Sequence, residues 1–305
     1  MATSMAVRGG GQGAAVLILV IGATGAVGRP LVKALTTAGH QVLAGTRYPV
    51  DYTGPAEPIT FDLDDPDIDG LDPRVASADA AYYLVHALDD PDFERIDRER
   101  ADRFASLWGP SRRVVYLGGL GEPGTGSPHL RSRHELGEVL RRRCDTVELR
   151  ASIVIGARSI SFQLMARLGR LASCSLVPVL LPEAARARTQ PIAEADLVRT
   201  LVAAMDLAPG SYDIGGPDTV TYAELIERGA RAQGRRLRVA PVLPVDPVWI
   251  GPLSALAADI DPWATTALFA GMGTEAVVRP DHRPPGIEEP ATGLDDAIAA
   301  ALGPR

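Results

Sequence analysis

Glycine stands at every third position of Val20-Ile21-Gly22-Ala23-Thr24-Gly25-Ala26-Val27-Gly28. A turn without Cβ atoms lets backbone approach a pyrophosphate closely. A helix starting at its end then offers unpaired N–H groups and a favourable dipole to the anion. The next informative residue is Arg47, which ends the segment Ala44-Gly45-Thr46-Arg47. An NAD site expects a ribose-binding Asp or Glu about 20 residues past the glycines. Here no acid stands before Asp51. A planar guanidinium suits a 2′-phosphate instead, so the pattern points to NADP(H) over NAD. The competing reading makes Arg47 an ordinary surface arginine. A third group is His129-x-x-x-Arg133. This spacing puts both side chains on one helical face. Histidine titrates in the range useful for general acid–base work, whereas arginine stays charged and can only orient or stabilise.

These residues need elements to hold them. Apolar runs bounded by turn residues alternate with helical patterns, which predicts a parallel α/β sheet. The expected strands are Ala15–Gly22, Gln41–Thr46, Ile59–Phe61, Ala80–His86, Arg113–Leu117 and Thr146–Ser152. The expected helices are Gly28–Ala38, closed by Gly39, then Pro91–Leu107 and His129–Arg143. Beyond Pro178 the rhythm changes and Pro and Gly become frequent, with helices over Asp196–Met205 and Tyr222–Gln233 and a strand at Tyr212–Ile214. The expectation is a Rossmann-type, doubly wound parallel sheet with a smaller C-terminal substrate lobe. Residues 1–13 would be a disordered Gly-rich tail, 14–157 the dinucleotide-binding domain, and 158–305 mostly the substrate lobe. Part of that last stretch, near 190–216, would pack back on the first domain. Pro247–Met272 is apolar but interrupted by Pro252, Asp259, Asp261 and Pro262, and reads as packed helices.

Bulk properties exclude several classes. The 305 residues are 46% hydrophobic and 23% charged, ordinary for a globular chain long enough to bury its own core. A formal net charge of −7 argues against a nucleic-acid surface. Cys144 and Cys174 form no CxxC pair and no disulfide framework. No set of His, Cys, Asp and Glu has metal-ligand spacing; His40, Asp196 and the acidic run Asp62–Asp69 were weighed and show none. Gly-x-Ser-x-Gly and Walker loops are absent. Arg8 followed by Ala14–Ile21 could pass for a signal peptide, but the run is too short to span a membrane and leads straight into the glycines. A buried strand and a cytoplasmic location are therefore expected, with no membrane partner. Asp92–Arg103 carries mixed charge and reads as a solvated helix face.

Gly22-x-x-Gly25-x-x-Gly28 resembles the fingerprint of extended and atypical short-chain dehydrogenases/reductases. Phe61-Asp62-Leu63 is similar to the Asp-Leu pair that contacts adenine in that superfamily. Further stretches resemble a bacterial branch of NAD(P)H-binding, NmrA-like proteins. They include Ala81–His86, Val115–Gly121, His129–Arg133, Glu148–Ser152, Gln190–Ile192 and Asp213–Pro217. The resemblance implies that Gly22, Thr24, Gly25 and Gly28 hold the pyrophosphate, with Ala26 and Val27 completing the turn. It implies Arg47 at the 2′-phosphate, Asp62 and Leu63 flanking adenine, and Val85 and His86 beside the ribose.

The same resemblance exposes a departure. Active members of the superfamily mostly carry Tyr-x-x-x-Lys on the helix after strand five. The only lysine of this chain is Lys33, in the first helix, and the corresponding place reads His129-x-x-x-Arg133. Gly118 or Gly119 stands where a Ser is usual. Two readings stay open. In one, His129 is the acid, while Arg133 grips the ribose and depresses the histidine pKa. In the other, His129 only begins a helix after Pro128 and Arg133 is a structural contact. His86 and His134 are weaker catalytic candidates, and Tyr82, Tyr83 and Tyr116 read as packing residues. Three functions follow. The first is an NADPH-dependent reductase of an activated carbonyl, enone or imine in a small organic molecule. The others are a non-redox cyclase, isomerase or dehydratase on the same fold, and an NADP-binding sensor or assembly protein.

Overall fold

The structure, a computed structural model, describes residues 15–65, 71–87, 90–122, 124, 126–172, 179–246 and 262–303. The tail expected over 1–13, Cys174, the end of the Asp62–Asp69 run and much of Pro247–Met272 lie outside them.

Seven strands form one sheet: β1 (Leu17–Ile21), β2 (Gln41–Thr46), β3 (Glu57–Thr60), β4 (Ala80–Tyr83), β5 (Arg113–Gly119), β6 (Asp145–Ala151) and, after four short strands, β11 (Gly210–Ile214). Their spatial order is β3-β2-β1-β4-β5-β6-β11, and every pairing is parallel. This is the doubly wound arrangement. Strand order reverses between β1 and β4, which opens a crevice at the carboxyl ends of those strands.

Alternation along the strands feeds two cores. Ile18 and Val20 of β1 pack with Leu31, Val32 and Leu35 of α1 (Gly28–Thr37) on one face. Leu197 and Leu201 of a later helix, Glu194–Ala203, complete that layer. Leu19 and Ile21 face the other side, against Phe104 and Trp108 of Phe93–Trp108 and Leu136 and Leu140 of Pro128–Arg143. We label the helices in chain order: α2 (Arg74–Ser77), α3 (Phe93–Trp108), α4 (Pro128–Arg143), α5 (Ile160–Ala172), α6 (Glu194–Ala203), α7 (Tyr222–Ala232), α8 (Pro262–Gly271) and α9 (Leu294–Leu302). Truncating a core residue such as Leu35 to Ala would cost about 2–5 kcal/mol.

Local chemistry sets the helix ends that matter. Pro30 sits in the first turn of α1, where its missing N–H has no partner to lose. Gly39 ends α1 at φ +92°, and the His40 amide reaches back to the Leu35 carbonyl at 3.1 Å. Ser127 caps α4 by accepting from the Leu130 amide at 3.3 Å.

A third core unites Ile155, Phe162, Met165, Leu225, Ile226 and Ile298 from α5, α7, α9 and the connection after β6. Short strands edge this region: β7 (Val154–Ile155) pairs with β10 (Ile192–Ala193), β9 (Arg188–Thr189) with β12 (Val220–Thr221), and β8 (Val179–Pro182) with β13 (Val239–Leu243).

Three sequence expectations need correction. Strand four ends at Tyr83, so Val85 and His86 lie in the loop beyond it. The Leu84 amide still bonds Ile21, but the Ala87 amide is taken by the Asp97 carboxylate at 2.8 Å, which pulls the chain out of the sheet. Strand three is Glu57–Thr60 and excludes Phe61, whose amide nonetheless donates to Thr46 O. The Asp92–Arg103 face is not simply solvated. Asp97 is buried, and Arg100 and Arg103 follow it at three-residue spacing to hold the Asp62–Asp65 loop.

Candidate functional site

The crevice between β1 and β4 is a cleft of about 530 Å³. It is lined by all of Gly22, Thr24, Gly25, Ala26, Val27, Gly28, Arg47, Asp62, Leu63, Val85, His86, His129 and Arg133. Apart from His134, the cofactor and catalytic candidates read from the sequence therefore lie along one wall or another of a single cavity.

Gly22 has φ +86°, and a Cβ there would stand 3.0 Å from Val85 Cγ1. At Gly28 an added Cβ would come 2.1 Å from the Gly22 carbonyl oxygen, so the start of α1 rests directly on the turn. The Gly25 amide closes the turn onto Gly22 O at 3.0 Å. Neither a side-chain cap nor an acidic residue occupies the first turn of α1. The Arg29 amide is taken by the Gly25 carbonyl at 3.2 Å and Pro30 has no N–H, so the start of α1 offers an anion chiefly its dipole. A dinucleotide pyrophosphate fits this cradle.

Arg47 is exposed on the rim, with its guanidinium 5.9 Å from the Tyr48 ring centre. Asp64, on the same cleft wall, is bound instead by Arg100, at 2.8 Å to Nε, and Arg100 holds its carboxyl below the usual range. Asp62 accepts the Asp64 amide at 3.0 Å, and Arg103 donates to the Leu63 carbonyl. The loop is thus pinned from α3, Asp64 is paired with Arg100, and Arg47 forms no ion pair among the described residues, though its charge also helps lower the Asp64 carboxyl.

At the other end, His129 and His86 lie with ring centres 5.9 Å apart, edge to face, and Phe93 lies 6.4 Å from His129. Burial is the main force pushing the His129 pKa well below its usual value, with Arg133 second and His86 third. His86 is pushed down to about 3, first by burial and then by Arg133 and Arg100. Both imidazoles are therefore neutral at neutral pH, weak as bases, and able to hydrogen-bond. The expectation that Arg133 depresses His129 holds as a secondary cause. Arg133 itself donates to the Leu117 carbonyl and lies 5.5 Å from the Tyr116 ring centre. Its own carbonyl accepts from the Tyr116 hydroxyl at 3.1 Å.

No family model matches the chain, and no curated protein matches it. Solved structures do. WbmH of Bordetella bronchiseptica, in complex with NAD+, is 17% identical with a TM-score of 0.65, covering 94% of this chain and 97% of its own. A UDP-glucose 4-epimerase from Thermotoga maritima, solved with UDP-glucose, is 13% identical at TM-score 0.64 over 94% and 97%. A short-chain dehydrogenase/reductase superfamily protein from Agrobacterium tumefaciens, with bound NAD, is 19% identical at TM-score 0.56 over 73% and 85%. The chain has the short-chain dehydrogenase/reductase fold.

Within that fold the departures at α4 and β5 have local causes. A Cβ on Gly118 would lie 2.6 Å from Glu148 Oε1, and one on Gly119 would lie 2.7 Å from Leu130 Cδ1. No serine side chain fits at Gly118 while Glu148 keeps its place. Glu148 is fully buried and paired with Arg141 and Arg150. His134, one residue past Arg133, turns to the Gly119 carbonyl at 3.1 Å and stays out of the cleft. Tyr82, Tyr83 and Tyr116 are buried packing residues; Tyr82 donates to the Leu201 carbonyl at 3.0 Å. Asp196 anchors the Thr292 amide at 2.9 Å and pairs with Arg199. Among the described residues no group of three or more His, Cys, Asp or Glu could hold a metal ion, and no helix is long and apolar enough to cross a membrane.

Sequence reasoning missed Arg100, Ser152, Ser159, Ser161 and Glu194, all of which line the cleft. Burial raises the Glu194 carboxyl pKa. Only Arg100 had a readable signal: the spacing of Asp97, Arg100 and Phe104 places charge on the same face as core residues. Ser159, Ser161 and Glu194 come from the second half of the chain and carry no local motif, and Ser152 only closes the Glu148–Ser152 stretch.

Proposed function

We propose that this protein is an NADPH-dependent reductase of a small organic molecule with an activated carbonyl, enone or imine. The observation that carries the reading is the cleft itself. One cavity joins an uncapped helix start and Cβ-free turn, an unneutralised Arg47, and a neutral His129 beside Arg133. Gly22, Thr24, Gly25, Ala26, Val27 and Gly28 would hold the pyrophosphate, Arg47 the 2′-phosphate, and Asp62 and Leu63 the adenine side. Val85, His86 and Arg133 would border the ribose towards the reacting end. When bound, the reduced dinucleotide supplies a hydride to an electrophilic carbon, and one proton from water completes the reduced product.

His129 then hydrogen-bonds and orients the acceptor as a neutral imidazole. That is weaker acid catalysis than a Tyr/Lys pair gives, which suits an acceptor already polarised or conjugated. The fixed positive charge of Arg133 favours negative charge developing on the acceptor. The neighbours in fold are described with NAD, and Arg47 is the reason to expect NADP here.

The test is calorimetric titration of the protein with NADPH and NADH at fixed salt, beside Arg47→Ala. Tight NADPH binding that weakens selectively in the variant supports the reading. Absence of binding by either nucleotide, in protein shown to carry none, overturns it.

A further inference from the structure

A second cavity of about 160 Å³ opens beside the first. The two share Gly119, His129, Ala151, Ser152 and Ser161, so His129 stands at the junction. Beyond the junction the walls are apolar: Leu120, Leu130, Leu164, Met165, Phe269 and Met272. No Asp, Glu, Lys or Arg lines it among the described residues. Two of its hydroxyls are already committed. Ser127 Oγ caps α4, and Ser152 Oγ donates to the Gln190 carbonyl at 2.7 Å.

We propose that this annex is the substrate pocket and that it selects a small, uncharged electrophile with an apolar body, about the size of one six-membered ring, held with its polar end at His129. Size sets the upper limit, since a cavity of about 150 Å³ lined by aliphatic and aromatic side chains accommodates benzene. Chemistry sets the rest. A carboxylate or phosphate entering these walls would lose its hydration with no cation in return and only the hydroxyls of Ser161 and Thr274 to replace it. A nucleotide sugar, the substrate of the Thermotoga epimerase, is too large and too polar for the annex. The junction keeps a polar group where reduction would occur, because the neutral His129 ring can meet a carbonyl oxygen without bringing charge into an apolar site.

The assignment rests on the dinucleotide reading of the larger cleft, but its test separates the two. Binding of benzaldehyde, 4-carboxybenzaldehyde and UDP-glucose is measured by NMR titration, with and without saturating NADPH. Gly271→Leu is the variant: a Cβ at this lining residue meets nothing nearer than Ser127 Oγ at 3.8 Å, so the backbone there accepts a side chain, whose bulk is intended to occupy the annex. Benzaldehyde should bind at least about tenfold more tightly than 4-carboxybenzaldehyde, with UDP-glucose not displacing it. Gly271→Leu should weaken benzaldehyde by a similar factor and leave NADPH affinity unchanged. Equal or tighter binding of the carboxylate, displacement by UDP-glucose, or a variant that folds, binds NADPH and still takes benzaldehyde normally would overturn the annex. The wild-type comparison decides the matter should the variant not fold. Loss of NADPH binding alone, with benzaldehyde selectivity intact, would strike the cofactor reading and spare the pocket.

Discussion

At its glycine end the cleft is shaped chiefly by one short turn, Gly22 to Gly28, between β1 and α1, with Arg47, Asp62 and Leu63 lining it from the ends of β2 and β3. At its histidine end it is assembled from five separate places: the loop after β4, the end of β5, the start of α4, the connection from β6 into α5, and Glu194 at the start of α6. The glycine end works by leaving things out. Cβ atoms are missing, the helix start is uncapped, and Arg47 keeps its charge. The histidine end works by enclosure, with burial as the main force on both imidazoles. Binding geometry at the first end is a property of a short peptide. Chemistry at the second depends on how well the surrounding elements exclude water.

Substitutions should separate the two ends. The largest effect is expected from Gly22→Ala, which adds a Cβ at φ +86° and 3.0 Å from Val85 Cγ1. Backbone strain of about 1–3 kcal/mol and a blocked cradle should lower NADPH affinity by about 100-fold or more in calorimetry. His129→Phe should act in the opposite manner. Once an acceptor is found, turnover should fall by about 100-fold while NADPH affinity stays within error. A comparable loss of NADPH affinity would mean that the two ends do not act separately.

Arg47→Ala should weaken NADPH by roughly tenfold to 100-fold and leave NADH unchanged, the range for a charge-assisted contact of about 1.5–3 kcal/mol. Asp97→Ala removes the acceptor that fixes the Ala87 amide and so loosens the His86 loop. A stability loss of about 1–3 kcal/mol is expected from the orphaned amide, read as a lower denaturant midpoint.

A pH slope distinguishes the histidine end in a further way. The folded-state pKa of His86 is depressed to about 3 and that of His129 is also depressed. Between the unfolded value near 6.5 and the folded value, the unfolded chain binds the extra proton. Their contribution to stability is therefore complete above about pH 6.5 and shrinks as pH falls, by at most about 1.4 kcal/mol per pH unit for each histidine. Denaturant midpoints measured from pH 7.5 down to pH 5 should fall, and His86→Asn should flatten the fall. An unchanged slope in that variant would place the titration elsewhere.

The sequence by itself determined the glycine turn, the parallel alternation that creates a crevice beyond β1, and the absence of lysine from the helix after β5. These features are legible because each depends on residues within a few positions of one another: a Cβ-free spacing, a strand period, a helix period. Arg47 was equally visible, because the end of a strand beside the glycine turn is a fixed place in this topology.

Tertiary structure alone decided the rest. Asp97 and Arg100 read as surface charge until packing turned them towards the loops after β4 and β3. The sequence left His129 open between an acid with a pKa lowered by Arg133 and a mere helix start; that burial is the larger force on its pKa depends on surroundings drawn from the whole chain. The apolar annex had no local trace, because Leu130, Met165 and Phe269 look like any core residues in sequence. Whether such side chains fill a core or line a cavity is decided by the small volumes left between helices packed from distant segments, and no local pattern of residues encodes those volumes.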